Sequence, residues 1–227
     1  MIISISGAHG SGKSTIAQRL SEKLGWPRYY IGGLRREAAR KRGMTLAEYN
    51  KLGETDPQTD QEVDEYQKKL GETEDNFIIE GRTSWFLIPH SLKLYFDVTE
   101  EEGNRRVFGH LQQENDRNED NNIESIEDVK ESLRKRLVSD KLRYKKYYGI
   151  DVNDVSNYDF YFDTTNLTQD EVFLVFIIGY IFQQFADVSN VKGCGMDGDG
   201  ASHALCVAKT HDDAGDIVQI FSLEHRA

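Results

Sequence analysis

Eight residues near the start of the chain, Gly7-Ala8-His9-Gly10-Ser11-Gly12-Lys13-Ser14, carry the spacing G-x-x-x-x-G-K-[ST] of a Walker A phosphate loop, or P-loop. The residue types follow from the chemistry. Main-chain N–H groups converge on phosphate oxygens only where glycine permits a positive φ or removes a Cβ from the approach. Lys13 then reaches the β- and γ-phosphates of a triphosphate. The Ser14 hydroxyl is a ligand for Mg²⁺, and Thr15 adds a hydrogen bond to the α-phosphate. A helix starting near Lys13 turns the positive end of its dipole toward the anion. A chance glycine-rich turn would satisfy the same spacing, so context decides. Ile2 to Ser6 form a β-rich run ending at Gly7, and Ile16, Leu20 and Leu24 share one face of a following helix. That is the strand–loop–helix order a phosphate loop requires. No Asn-Lys-x-Asp follows to read guanine, which weighs against a GTPase.

The remaining elements set the frame for this loop. Tyr29 to Ile31, Phe77 to Gly81, Leu92 to Val98 and Tyr158 to Phe162 read as further strands. Phe77-Ile78-Ile79 is a continuous apolar run, as expected of a parallel strand buried on both faces. Helices are expected over Arg35 to Arg42, over Thr45 to Gly53 with a Thr45/Glu48 capping box, and over Asp60 to Leu70. Three more are expected over Glu100 to about Leu111, Ile126 to Tyr148 and Gln169 to Phe185. Gln113 to Asn122 is polar, acidic and rich in Asn, and reads as a loop. Strands alternating with helices imply an α/β, three-layer P-loop fold: a five-stranded parallel sheet with helices on both faces. The 227 residues are 38% hydrophobic and 30% charged, with a net charge of −11. That balance argues against nucleic acid as a partner, because a phosphate backbone rewards a basic surface. No apolar run approaches the roughly 20 residues of a membrane helix, and the chain starts directly on a strand. A cytoplasmic monomer is expected.

Beyond the loop, the sequence resembles the archaeal-type cytidylate kinases, a branch of the adenylate-kinase-like fold. The resemblance is carried by Arg36-Glu37-Ala38-Ala39 through Arg42-Gly43-Met44, Asp56-Pro57 with Asp60 and Asp64, and Glu80-Gly81-Arg82. Arg106-Val107, Arg136 with Ser139-Asp140, Arg143-Tyr144, Tyr148-Gly149-Ile150-Asp151 and Tyr158-Asp159 complete it. It covers roughly the first 180 residues, implying a kinase domain over 1–185. Its nucleoside-monophosphate-binding part would lie near 32–72 and its lid near 106–140. The activity it implies is ATP-dependent phosphorylation of CMP or dCMP, with Mg²⁺ required. A P-loop kinase of another small acceptor, or a nucleotide-binding module without turnover, are the alternatives.

The resemblance implies that Arg36 and Arg82 hold the acceptor's phosphate. A planar guanidinium grips phosphate through two parallel hydrogen bonds and keeps its charge at any working pH. Gly81 lets the chain approach the ligand, and Arg82 follows a strand's carboxyl end, where α/β sheets bind ligands. Arg106, Arg117, Arg136 and Arg143 are candidates for the lid and the transferring phosphoryl group. Charge spread over its equatorial oxygens is stabilised by positive groups that close around it. Read without that context, they are charges laced along two amphipathic helices. Glu80 is placed to position Mg²⁺ through water. Asp60 and Asp64 lie four apart on one helix face, where either can accept from a base amino group such as cytosine's.

Departures accompany these matches. Gly33 stands where relatives often have an acidic residue, and Gly103 and His110 replace residues that are often basic. The lid segment from Leu111 to Glu124 is long and acidic. Residues 186–227 form an extension with no family counterpart. It holds a glycine cluster and β-like runs at Ala204 to Ala208 and Ile217 to Leu223. Its Cys194, His203, Cys206 and His211 fit no zinc spacing, so an added hairpin or loose tail is expected there.

Overall fold

The computed structural model describes residues 1–113 and 123–174, together with two strands in the C-terminal extension. Five parallel strands form the central sheet: β1 (Ile2–Gly7), β2 (Arg28–Tyr30), β3 (Phe77–Glu80), β4 (Leu92–Asp97) and β5 (Phe160–Asp163). Their spatial order is β2-β3-β1-β4-β5, which puts the loop-bearing strand in the centre. Registers such as Ile5 opposite Glu80 and Ser6 opposite Tyr95 align the carboxyl ends of β1, β3 and β4.

Alternation along β1 decides which helices cover which face. Ile3 and Ile5 join Ile78, Leu94, Phe96 and Phe162 against Ile16, Ala17 and Leu20 of α1 (Lys13–Leu24). Val172, from a helix opening at 169, completes that core. On the other face Ile2, Phe77 and Ile79 pack with Ile31 of α2 (Ile31–Lys41) and Leu70 of α4 (Gln58–Thr73). Between these two helices lies α3 (Leu46–Gly53), and its expected capping box is formed. The Glu48 N–H donates to Thr45 Oγ1 at 3.2 Å, and the Thr45 N–H to Glu48 Oε2 at 2.8 Å. A one-turn α5 (Ser84–Leu87), unforeseen from the sequence, follows β3 and brings Trp85 against Tyr95 and Tyr158.

Two helices flank the expected lid: α6 (Glu100–Leu111) and the 23-residue α7 (Ile126–Tyr148). Both match their expected spans. They pack through Val107, Val129 and Leu133. By contrast α2 starts four residues before Arg35, because Ile31 is needed in the core. The final helix is described only to residue 174, so the rest of the expected Gln169 to Phe185 span lies outside the described residues. In the extension, β6 (His203–Thr210) pairs antiparallel with β7 (Ile217–Glu224), the arrangement of a hairpin. Cys194 and His211 lie outside the described residues. No helix among the described residues is long and apolar enough to cross a membrane.

Candidate active site

The phosphate loop crosses from β1 to α1 over the sheet's carboxyl edge and is pinned to β4, where the Ala8 N–H donates to the Phe96 carbonyl at 2.9 Å. Gly10 and Gly12 have φ of 77° and 81°, which only glycine adopts without strain. Gly10 also faces α6: a Cβ on it would lie 2.4 Å from the Gly103 carbonyl oxygen. The converse holds too, since a Cβ on Gly103 would lie 2.6 Å from the His9 carbonyl oxygen. Two backbones therefore touch with no side chain between them. This explains the departure at Gly103, where a basic residue would push the loop off its helix. Gly103→Ala is expected to cost about 1–3 kcal/mol by overpacking. It should also raise the KM for ATP, as read by thermal denaturation and initial rates.

Lys13 Nζ arches back over the loop, donating to the Ala8 carbonyl and, at 3.3 Å, to Ser11 Oγ. The Ser14 hydroxyl donates to Glu80 Oε1 at 2.6 Å, and Glu80 Oε2 accepts from Arg28 at 2.7 Å. Two hard oxygen donors thus meet at the loop, the donor type that suits Mg²⁺. Arg28 is a partner the sequence did not reveal. On the far side of Ser11 and Gly12 a cavity of about 480 Å³ opens, walled by Ile16, Arg105, Arg106 and residues 165–169. Arg106 braces this wall. Its guanidinium donates to the carbonyls of Thr164 (2.9 Å), Thr165 (3.1 Å) and Gly10 (3.4 Å), and its Nε to Glu102 at 2.7 Å. That differs from the sequence expectation: Arg106 spends its donors on backbone and Glu102 and shapes the cavity.

On the opposite side of Lys13 and Ser14 a second cleft runs between β3, α2, α4 and α7. Arg36, Gly81, Arg82 and Arg136 line it, as do Asp60 and Asp64. Gly81 is held close, since a Cβ there would meet Ser84 Oγ at 2.3 Å. Arg82 donates to His9 Nε2 at 2.5 Å, linking the acceptor side to the phosphate loop. Arg36, almost fully buried, donates to the Tyr30 hydroxyl and the Gly32 carbonyl.

Two candidates have roles other than the sequence suggested. Arg143 is completely buried and grips both oxygens of Asp60, at 2.6 and 2.7 Å, and also Asp140. Burial opposes its charge, but Tyr144, Asp140 and Asp60 outweigh it and push its pKa up. Arg143 is therefore a fixed strut between α7 and α4. Asp60 also accepts from Arg35, itself bonded to Asn50 at 2.8 Å. Its carboxylate is committed to two guanidiniums, Arg35 and Arg143. Buried Asp64 accepts from Gln67 (3.1 Å), Thr83 (3.3 Å) and the Tyr148 hydroxyl, and its pKa is pushed up to about 6, chiefly by burial. Gln67 and Thr83 line the cleft and were missed from sequence. Helical spacing was the available signal for Gln67, three residues after Asp64. Arg117 lies outside the described residues.

A triphosphate cradle beside a second, arginine-walled cleft, both at the carboxyl edge of one parallel sheet, defines a P-loop phosphotransferase. Solved structures share the fold: shikimate kinase from Bacteroides thetaiotaomicron superposes with a TM-score of 0.53 at 13% identity, covering 82% of this chain and 98% of that one. Within the class the chain belongs to the cytidylate kinase-like family, whose model matches residues 2–166. A cytidylate kinase from Thermoplasma volcanium is 35% identical over 175 residues, 76% of this chain and 87% of the relative. One from Pyrococcus furiosus is 34% identical over 176 residues, 77% of this chain and 85% of that protein.

Proposed function

We propose that this protein transfers the γ-phosphoryl group of ATP to CMP or dCMP. The observation that carries the reading is the adjacency of the two sites: Ser14 touches Glu80 at the end of β3, and Arg82, two residues on, touches His9 of the loop. Loop amides and Lys13 hold the triphosphate, and the cavity beyond Gly12 takes its nucleoside. Arg36 and Arg82 hold the acceptor's phosphate and aim one of its oxygens at the γ-phosphorus. That oxygen is already ionised, so no general base is required. Ser14 would hold Mg²⁺ directly and Glu80 through water, and the ion would neutralise charge on the β- and γ-oxygens. Arg136 faces the transferring group from the lid side. Closure of these groups excludes water, which otherwise competes as acceptor. A coupled ADP-release assay over CMP, dCMP, UMP, AMP and GMP tests the reading. Equal rates on all five, or none on CMP, would overturn it.

Asp64 is assigned to the base. A carboxylate offers about four acceptor positions. Gln67 and Thr83 take two on Oδ1 and Tyr148 takes one on Oδ2, leaving one for the amino group of cytosine. Uracil presents a carbonyl there and meets a lone pair. Asp64→Asn, whose amide can donate, is expected to lower the CMP-to-UMP ratio of kcat/KM by about 10- to 100-fold, the scale of one unpaired buried group. The same preference should fade in the unmodified enzyme as pH falls through about 6, where Asp64 takes up a proton. The stability effect has the opposite sense. A folded pKa raised above the unfolded value means that the native state binds more protons between the two, so stability falls as pH rises through that window. Asp64→Asn is therefore not expected to melt earlier at pH 7, which separates altered specificity from unfolding.

A further inference from the structure

One buried carboxylate of the acceptor cleft is left over by this scheme. Asp140, on α7, is 3% exposed and lines the cleft beside Arg82 and Arg136. Its Oδ1 accepts from Arg143, which is already clamped on Asp60. Its Oδ2 lies 3.2 Å from Arg82 Nη1 and 3.9 Å from Arg136 Nε, yet it is buried and receives no well-aligned hydrogen bond. Burial opposes its charge, but Arg82, Arg143, Arg136 and Arg35 outweigh it and hold its pKa below the usual carboxylate range. An anionic oxygen thus sits in loose ionic contact with an arginine assigned to an incoming phosphate. The cleft around it measures about 120 Å³. Small-molecule pockets begin near ~300 Å³, so a nucleotide enters only if groups now inside the cleft move.

We infer that Asp140 is an internal stand-in for the acceptor's phosphate: its Oδ2 holds Arg82 in the empty site, and the phosphate displaces it. This rests on the assignment of Arg82 above. Before binding, the carboxylate lowers repulsion among guanidiniums crowded at low dielectric. On binding, Arg82 exchanges one anionic oxygen for another, while Asp140 keeps Arg143. Because the exchange replaces an existing partner, a bare phosphate gains little from it. Only a ligand with further contacts, a nucleoside monophosphate, opens the cleft. Asp140 is in these terms a positioning residue that sets the threshold every phosphate-bearing ligand must clear, which a complete nucleotide passes through its further contacts.

Calorimetric titration of Asp140→Asn against the unmodified enzyme, with CMP, cytidine and inorganic phosphate in turn, tests this. With the competing charge gone, CMP and inorganic phosphate should each bind at least about tenfold tighter, and cytidine should be unchanged. Unchanged or weaker CMP binding, or cytidine tightening as much as CMP, would overturn the inference. If the unmodified enzyme itself fails to bind CMP, it is the acceptor assignment that fails. Should the variant not fold, a crystal structure of the unmodified enzyme with CMP decides. Arg82 on the phosphate and beyond 4 Å from Asp140, with the Asp140–Arg143 contact kept, supports the exchange. Arg82 still paired with Asp140 beside bound CMP refutes it.

Discussion

Replacing Lys13 with alanine is expected to lower kcat/KM for ATP by about 10²–10³-fold or more, the loss seen when one preorganised group on a developing charge is removed. The expectation follows from its place. Lys13 is the first residue of α1, its Nζ curls over the loop, and its contacts with the Ala8 carbonyl and Ser11 Oγ lie within the loop. A triphosphate arriving there takes the ammonium over from those oxygens. The helix itself is anchored in the core by Ile16, Ala17 and Leu20, an apolar cluster to which Lys13 does not belong. Thermal midpoint and secondary structure should therefore stay near those of the unmodified protein while turnover disappears. Appreciable turnover in the alanine variant, measured as ADP release with CMP saturating, would remove Lys13 from the reaction.

A second large effect is expected at Arg82, with a different signature. Arg82→Ala should lower kcat/KM for CMP by about 10²–10³-fold, with the KM for ATP changing little. The guanidinium lies on the acceptor side, and its link to the donor side is the His9 ring, not a phosphate-loop amide. Here stability also moves. Removing one member of a buried ion pair leaves its partner uncompensated, at a cost of up to about 3–5 kcal/mol. Arg143 keeps its contact with Asp140 and reduces that cost. Arg82→Lys is the informative companion, since it restores charge but not the two-pronged geometry. Recovery of stability without recovery of the KM for CMP is the expected pattern. Equal losses for ATP and CMP would place Arg82 on the donor side instead.

The parts of this site legible in the sequence are those whose physics is local. The phosphate loop is written in consecutive residues because its ligands are consecutive amides. β3 is a run of apolar residues because both of its faces are buried. α3 is capped by Thr45, whose side chain closes a capping box with Glu48 three residues on. Pairings across the chain were not legible. Arg143 and Asp60 are 83 positions apart, and Arg28 and Glu80 are 52. Nothing in their spacing says that Arg143 is a strut; its two carboxylate partners show it. A lone sequence also cannot show why position 103 holds glycine, because the reason is the His9 carbonyl of another element. Gln67 is one of several polar residues on a charged helix, and its place comes from Ser84, Thr83 and Asp64 around it, two of them on another element.

The arginines of the acceptor cleft have a consequence for encounter as well as for chemistry. Arg36 is buried and Arg82 and Arg136 are partly buried beside Asp140, while the chain as a whole carries a net charge of −11. Positive potential is therefore short-ranged, and beyond about one Debye length, ~8–10 Å, an approaching nucleotide meets an acidic exterior. Both substrates are polyanions. The net charge consequently adds no long-range attraction, and added electrolyte shields a repulsion rather than a pull. The enzyme gives up speed of arrival: its acidic exterior repels water-borne anions, and the cation array acts only on those that reach its mouth.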